Sequence, residues 1–128
     1  MCPNIKEQYG FGFLFSNARL RQIRQTGAEL YLNLLYADRE EQTVRYDGVF
    51  YSQLQLSDEG KRIILAEQLH PSELAMPKHR SATVQLLDEC GGDASLFDQL
   101  EREGYFVYAH YVGRSAEYLV IARNAVLL

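Results

Sequence analysis

Residues 81–123 constrain the fold more than any other stretch of this chain. Ser81 and Asp93 each offer a side-chain oxygen suited to capping a helix N-terminus, and Gly91-Gly92 and Gly104 stand where helices stop. The segment therefore reads as helix, Gly-Gly-Asp turn, helix, then a Tyr-rich β-hairpin around Gly113-Arg114-Ser115. The first helix is predicted to turn Val84, Leu87 and Cys90 inward, and the second Leu96, Phe97 and Leu100. The hairpin strands are predicted over residues 105–112 and 116–123.

The preceding residues read mainly as strands. Residues 28–37 alternate, with Leu30, Leu32, Leu34 and Tyr36 on one side, the pattern of a strand with one buried face. Asp38-Arg39-Glu40-Glu41 is a turn. Residues 43–46 and 49–56 continue as strand, with Phe50, Leu54 and Leu56 on a common face, and Asp47-Gly48 is either a tight turn or a bulge in one long strand. Ser57-Asp58-Glu59-Gly60 either starts a helix or closes a hairpin. The β-branched Ile63 and Ile64 favour a returning strand. Residues 9–15 predict a short strand, and Ser16-Asn17 a cap for a helix over 18–25 with Leu20 and Ile23 on one face and Gly27 as its stop. Two prolines carry residues 70–80 across the surface.

This order, strands first and helices later, predicts an α+β fold: one domain over 1–128, a mainly antiparallel twisted sheet of about five to six strands, and about three helices. Phe50, Leu54, Leu87, Leu96, Leu100, Leu119 and Ile121 are expected in its core. At 128 residues the chain buries roughly two-thirds of its unfolded surface and needs no metal or disulfide staple. No apolar run nears the ~20 residues of a membrane span. Residues 1–7 lack the basic start and apolar centre of a signal peptide, so a cytoplasmic protein without membrane contact is expected. Cys2, in the terminal tail, is not expected to bridge to Cys90.

The order helix, turn, helix, hairpin resembles a winged helix over residues 81–123. The reading helix implied by that resemblance, residues 94–103, carries three acids (Asp98, Glu101, Glu103) and one base (Arg102), the wrong sign for a phosphate-facing surface. The same asymmetry runs through the chain. Residues 1–80 hold ten acids and ten bases, whereas 81–128 hold seven and three, so the whole net charge of −4 falls in the last third. No nucleic-acid partner is expected.

Motif-borne chemistry is sparse. His70, His79, Cys90 and His110 are scattered without metal-ligand spacing, and Gly10 and Gly12 alone do not make a phosphate loop. Cys90 with His79 or His110 as base is a possible nucleophile, but a helix C-terminus raises a thiol pKa rather than lowering it. His110 and Glu117 pair across the hairpin if its loop has two residues. With three, His110 faces Tyr118. No catalytic signature, cofactor motif or metal motif is present, and the reading leans away from an enzyme.

Two functional readings follow. The preferred one is a noncatalytic protein-binding domain for a basic partner, of which an inhibitor or immunity-type role is one form. Its surface is placed at Asp98, Glu101, Tyr105, Tyr108 and Tyr111, where acids steer and tyrosines supply contact area. The alternative is a small-molecule-binding domain or small enzyme with an aromatic and acidic pocket for a cationic or aromatic ligand, lined by Tyr31, Tyr51, His110, Glu117 and Tyr118 with Glu29. An enclosed pocket favours the second reading, and a filled core with an exposed aromatic patch the first.

Overall fold

The computed structural model describes residues 13–113 and 116–128. Cys2, the stretch Tyr9-Gly10-Phe11-Gly12 and the hairpin tip Arg114-Ser115 lie outside the described residues. Among the described residues, eight strands form one antiparallel sheet: β1 (Phe13–Thr26), β2 (Glu29–Tyr36), β3 (Glu41–Asp47), β4 (Tyr51–Ser52), β5 (Arg62–Leu69), β6 (Phe106–Val112), β7 (Ala116–Ala122) and β8 (Asn124–Leu127). Two α-helices, α1 (Arg80–Cys90) and α2 (Ser95–Arg102), and three 3₁₀ turns (Leu56–Asp58, Pro71–Ala75, Pro77–His79) complete it. The fold is mixed α+β as expected, with more strands and fewer helices than the sequence suggests.

The strand order is β4-β7-β6-β5-β1-β2-β3-β8, and its two ends belong together. β4 continues β3 beyond Gly48, and β8 continues β7 beyond Arg123. These two long paths lie antiparallel, with Tyr51 opposite Ile121 and Tyr46 opposite Ala125. The amides of Arg123 and Phe50 donate to the carbonyls of Asp47 (2.9 Å) and Ile121 (2.8 Å) between the two halves. The sheet thus closes into a barrel. One extra residue on the β3–β4 path makes the Asp47-Gly48 region a bulge in a long strand rather than a hairpin turn, with Gly48 at φ +62°.

Alternation sorts the side chains into two layers. Leu30, Leu32 and Leu34 of β2, Val44 and Tyr46 of β3, Tyr108 of β6 and Val120 of β7 fill the barrel interior. The opposite faces of β6 and β7, with Val107, Ala109, Leu119 and Ile121, pack outward against Leu86 of α1 and Phe97 and Leu100 of α2. This explains why both faces of the hairpin are apolar: one lines the barrel and the other lies under the helices. The hairpin is interior to the sheet, with β6 also paired to β5, so it is no wing and the winged-helix topology does not form.

Four local expectations are corrected. Residues 18–25 belong to β1, not to a helix. A register shift between Leu20 and Gln22 resets the alternation, so Leu20 and Ile23, spaced as on a helix, both turn inward from a strand. Residues 49–56 contribute only the short β4, and Phe50 (45% exposed) and Leu56 (68%) lie outside the core while Leu54 is inside. Helix α1 starts at Arg80 and buries Ala82, Thr83 and Leu86, leaving Val84 and Cys90 exposed and Leu87 half-buried. The small Ala82 and Thr83 face inward here, and Thr83 donates its hydroxyl to the Leu74 carbonyl (3.3 Å). Strand β8 was not anticipated from the sequence. Conversely, β2, the returning strand β5 and the closing hairpin form where the sequence reading expects them.

Candidate functional site

The helices and the 3₁₀ turns before them build an apolar groove of about 390 Å³ on the outside of the barrel. Its walls include Leu74, Met76, Pro77, Val84, Ala94 and Phe97. Pro71 and Pro77 occupy first positions of the 3₁₀ turns, where a fixed φ is an advantage and no amide donor is lost. The Glu73 carboxylate accepts from the His70 amide (2.7 Å) and braces the first turn. Met76 (49% exposed) and Val84 (50%) are large apolar side chains open to solvent in this one groove. Arg80 also lines it.

Helix α2, which gives Phe97 to the groove, also carries two acids that are not among its lining residues. Asp98 is exposed, directly after the groove-lining Phe97 and one turn after Ala94. Glu101 is exposed and accepts from the Ser72 amide (3.2 Å) and hydroxyl (2.9 Å), tying α2 to the first 3₁₀ turn. Those bonds hold its carboxyl below the ordinary range. Asp93 accepts from the Ser95 hydroxyl (2.6 Å) and amide (2.9 Å) at the start of α2, and its carboxyl is lowered for the same reason.

The three tyrosines expected beside these acids divide. Tyr108 is wholly inside the barrel, its ring 5.1 Å from that of Tyr46, and is removed from any outer surface. Tyr105 is half-buried, with the Arg123 guanidinium 4.4 Å over its ring and Phe50 beside it. Tyr111, also half-buried, donates to Glu67 Oε1 (2.6 Å), and burial followed by the Glu67 carboxylate pushes its phenol far up. Asp98 and Glu101 share α2; the tyrosines do not join them in one exposed patch.

The alternative pocket residues do not converge either. Tyr31 lies on the outer face of β2 with Arg24 4.4 Å over its ring, Glu29 is 3.8 Å from Arg45, and Tyr118 receives the Lys61 ammonium (2.9 Å) on its hydroxyl. The chain's own cations thus occupy the positions a cationic ligand would take at Tyr31 and Tyr118. Tyr51 donates to Glu89 (2.9 Å), and burial raises its phenol to about 12.

His110 lies inside the barrel, opposite Tyr118 in a register that pairs Val112 with Ala116, so it does not pair with Glu117. Its Nδ1–H donates to the Tyr118 carbonyl (3.1 Å), leaving Nε2 to accept the Tyr46 hydroxyl (2.5 Å). Burial pushes its pKa down to about 4. Glu117 instead accepts from Nδ1 of His79 (2.6 Å), a wholly buried side chain at the head of α1. Sequence reasoning missed that partner, because the contact joins a 3₁₀ turn to a strand 38 residues away. His79 Nε2 has no partner among the described residues and is closed off from solvent. It has the orientation of a general base held by a carboxylate, without access to a substrate.

The exposed Cys90 thiol is raised by desolvation and by Glu89, the opposite of nucleophile activation. Among the described residues, no three of His, Cys, Asp or Glu gather as a metal site, and no helix is long and apolar enough to cross a membrane. No protein-family model, curated protein or solved structure matches this chain, so the functional reading rests on the surface itself.

Proposed function

We propose that this is a noncatalytic protein-binding domain whose docking site is the apolar groove between the 3₁₀ turns, α1 and α2, and whose partner presents an apolar anchor flanked by basic residues. The observation that carries this reading is the exposure of Met76 and Val84 in one groove whose wall includes Phe97 of α2, the helix that carries Asp98 and Glu101 outside the lining. Charge chooses the occupant: residues 80–102 hold five acids (Asp88, Glu89, Asp93, Asp98, Glu101) against two bases (Arg80, Arg102). The filled barrel and the enclosed imidazoles of His79 and His110 favour binding over catalysis. An inhibitor or immunity-type role is one form such a domain takes.

Extracts of the native host passed over immobilised wild type, Val84→Asp and Asp98→Lys/Glu101→Lys provide the test. A partner retained by the wild type is expected to be lost with Val84→Asp. With the double variant, its association slows and loses part of its salt dependence. Because Val84 and both acids are exposed, the thermal midpoint of Val84→Asp and of Asp98→Lys alone should stay near that of the wild type; Glu101 also bonds Ser72. Identical retention by all three proteins would remove the site from this groove.

A further inference from the structure

At the far end of the barrel four arginines line a groove that the protein-binding reading does not use. Arg19, Arg21, Arg39 and Arg62 surround a volume of about 550 Å³, with Leu35 and Tyr36 in its wall. In a chain of net charge −4, this is a local concentration of positive charge. Glu41, the acid in the lining, is already bonded to Arg21. Asp38 and Glu40 lie on the same turn, where Asp38 accepts from the Glu40 amide and Glu40 lines the neighbouring groove. Arg19, Arg39 and Arg62 have no ion pair with any acid among the described residues.

Two features are costly for the protein alone. Arg19 and Arg62 are direct partners across the β1–β5 ladder, and like charges so placed repel. Arg39, in the lining, takes left-handed backbone (φ +71°), a region that Asn17 (φ +51°) tolerates and arginine rarely adopts. An anion seated between the guanidinium groups would relieve the first, and the forked Arg donors match phosphate oxygens.

We propose that this groove binds a small phosphorylated ligand, its phosphate oxygens held by Arg19, Arg39 and Arg62. The site is independent of the helix-side docking groove. Pyrophosphate is the probe, titrated calorimetrically at about 0.15 M salt, an ionic strength that screens diffuse attraction. Wild type is expected to bind it saturably with a rise in thermal midpoint. Arg19→Gln/Arg62→Gln should bind at least tenfold more weakly, while Arg102→Gln on α2 binds as the wild type does. Without ligand, the double variant should melt at or above the wild-type midpoint, because it loses a repulsion and no bond. Absence of saturable binding, or equal binding by the double variant, would overturn the proposal. Tighter binding of a single-stranded oligonucleotide than of pyrophosphate would also overturn it, by making the groove a nucleic-acid surface.

Discussion

His110 shows what one enclosed polar residue does to the whole molecule. In the unfolded chain its imidazole titrates near the ordinary 6.5, whereas burial in the barrel lowers it to about 4. Between those values the unfolded chain binds a proton that the folded chain excludes. His110 therefore contributes full stability above about pH 6.5, loses it progressively as pH falls, and contributes no further slope below about 4. The shift corresponds to about 3 kcal/mol between the two limits. Urea midpoints measured from pH 7.5 to 4.5 should fall accordingly in the wild type. His110→Phe removes the acceptor of the Tyr46 hydroxyl and should cost about 1–3 kcal/mol at neutral pH. The same variant should lose this part of the pH dependence, and equal slopes in the two proteins would assign the dependence to another group.

The helices differ in how their faces are used, and this gives a paired test. Leu100 of α2 is wholly buried against the outer wall of the barrel, so Leu100→Ala should cost about 2–5 kcal/mol in urea unfolding. Val84 of α1 is half-exposed, so Val84→Ala should cost under about 1 kcal/mol. Equal losses would mean that α1 packs with the face expected from its sequence. The contrast marks what was legible. Strand β2 could be read because three leucines alternate on one buried face, and α2 because Leu96, Phe97 and Leu100 make an apolar stripe between an Asp and a Gly. Strand β1 was hidden because a bulge inserts a helical spacing into it. The α2 acids of the candidate site were visible in the charge count. Met76 was hidden in a proline-bounded stretch whose local pattern does not say which side chains stay open. The Arg19–Arg62 opposition was hidden by a β1–β5 register that joins residues far apart in the chain.

At the scale of the molecule, stability depends on closing the barrel, and closure rests on the last four-residue strand. β8 pairs with β3, covering its edge through Val44–Leu127 and Tyr46–Ala125, and Leu127 packs in the interior with Val44 and Tyr46. Without it β3 would present unpaired backbone groups along an open edge, the geometry that recruits another chain. The interior would also open at Tyr46, the side chain that satisfies His110. Removing residues 124–128 should therefore lower the urea midpoint, reduce the denaturant slope by shrinking the surface buried on folding, and cause concentration-dependent association in size-exclusion chromatography. Leu127→Ala separates the two contributions: it keeps the backbone ladder and deletes only the buried side chain. That variant should lose about 2–5 kcal/mol and stay monomeric wherever the unsubstituted chain is monomeric. If the truncated chain unfolds with the wild-type midpoint and slope and does not associate further, the barrel is held closed by the β4–β7 ladder alone, and β8 is an appendage to the fold rather than its seam.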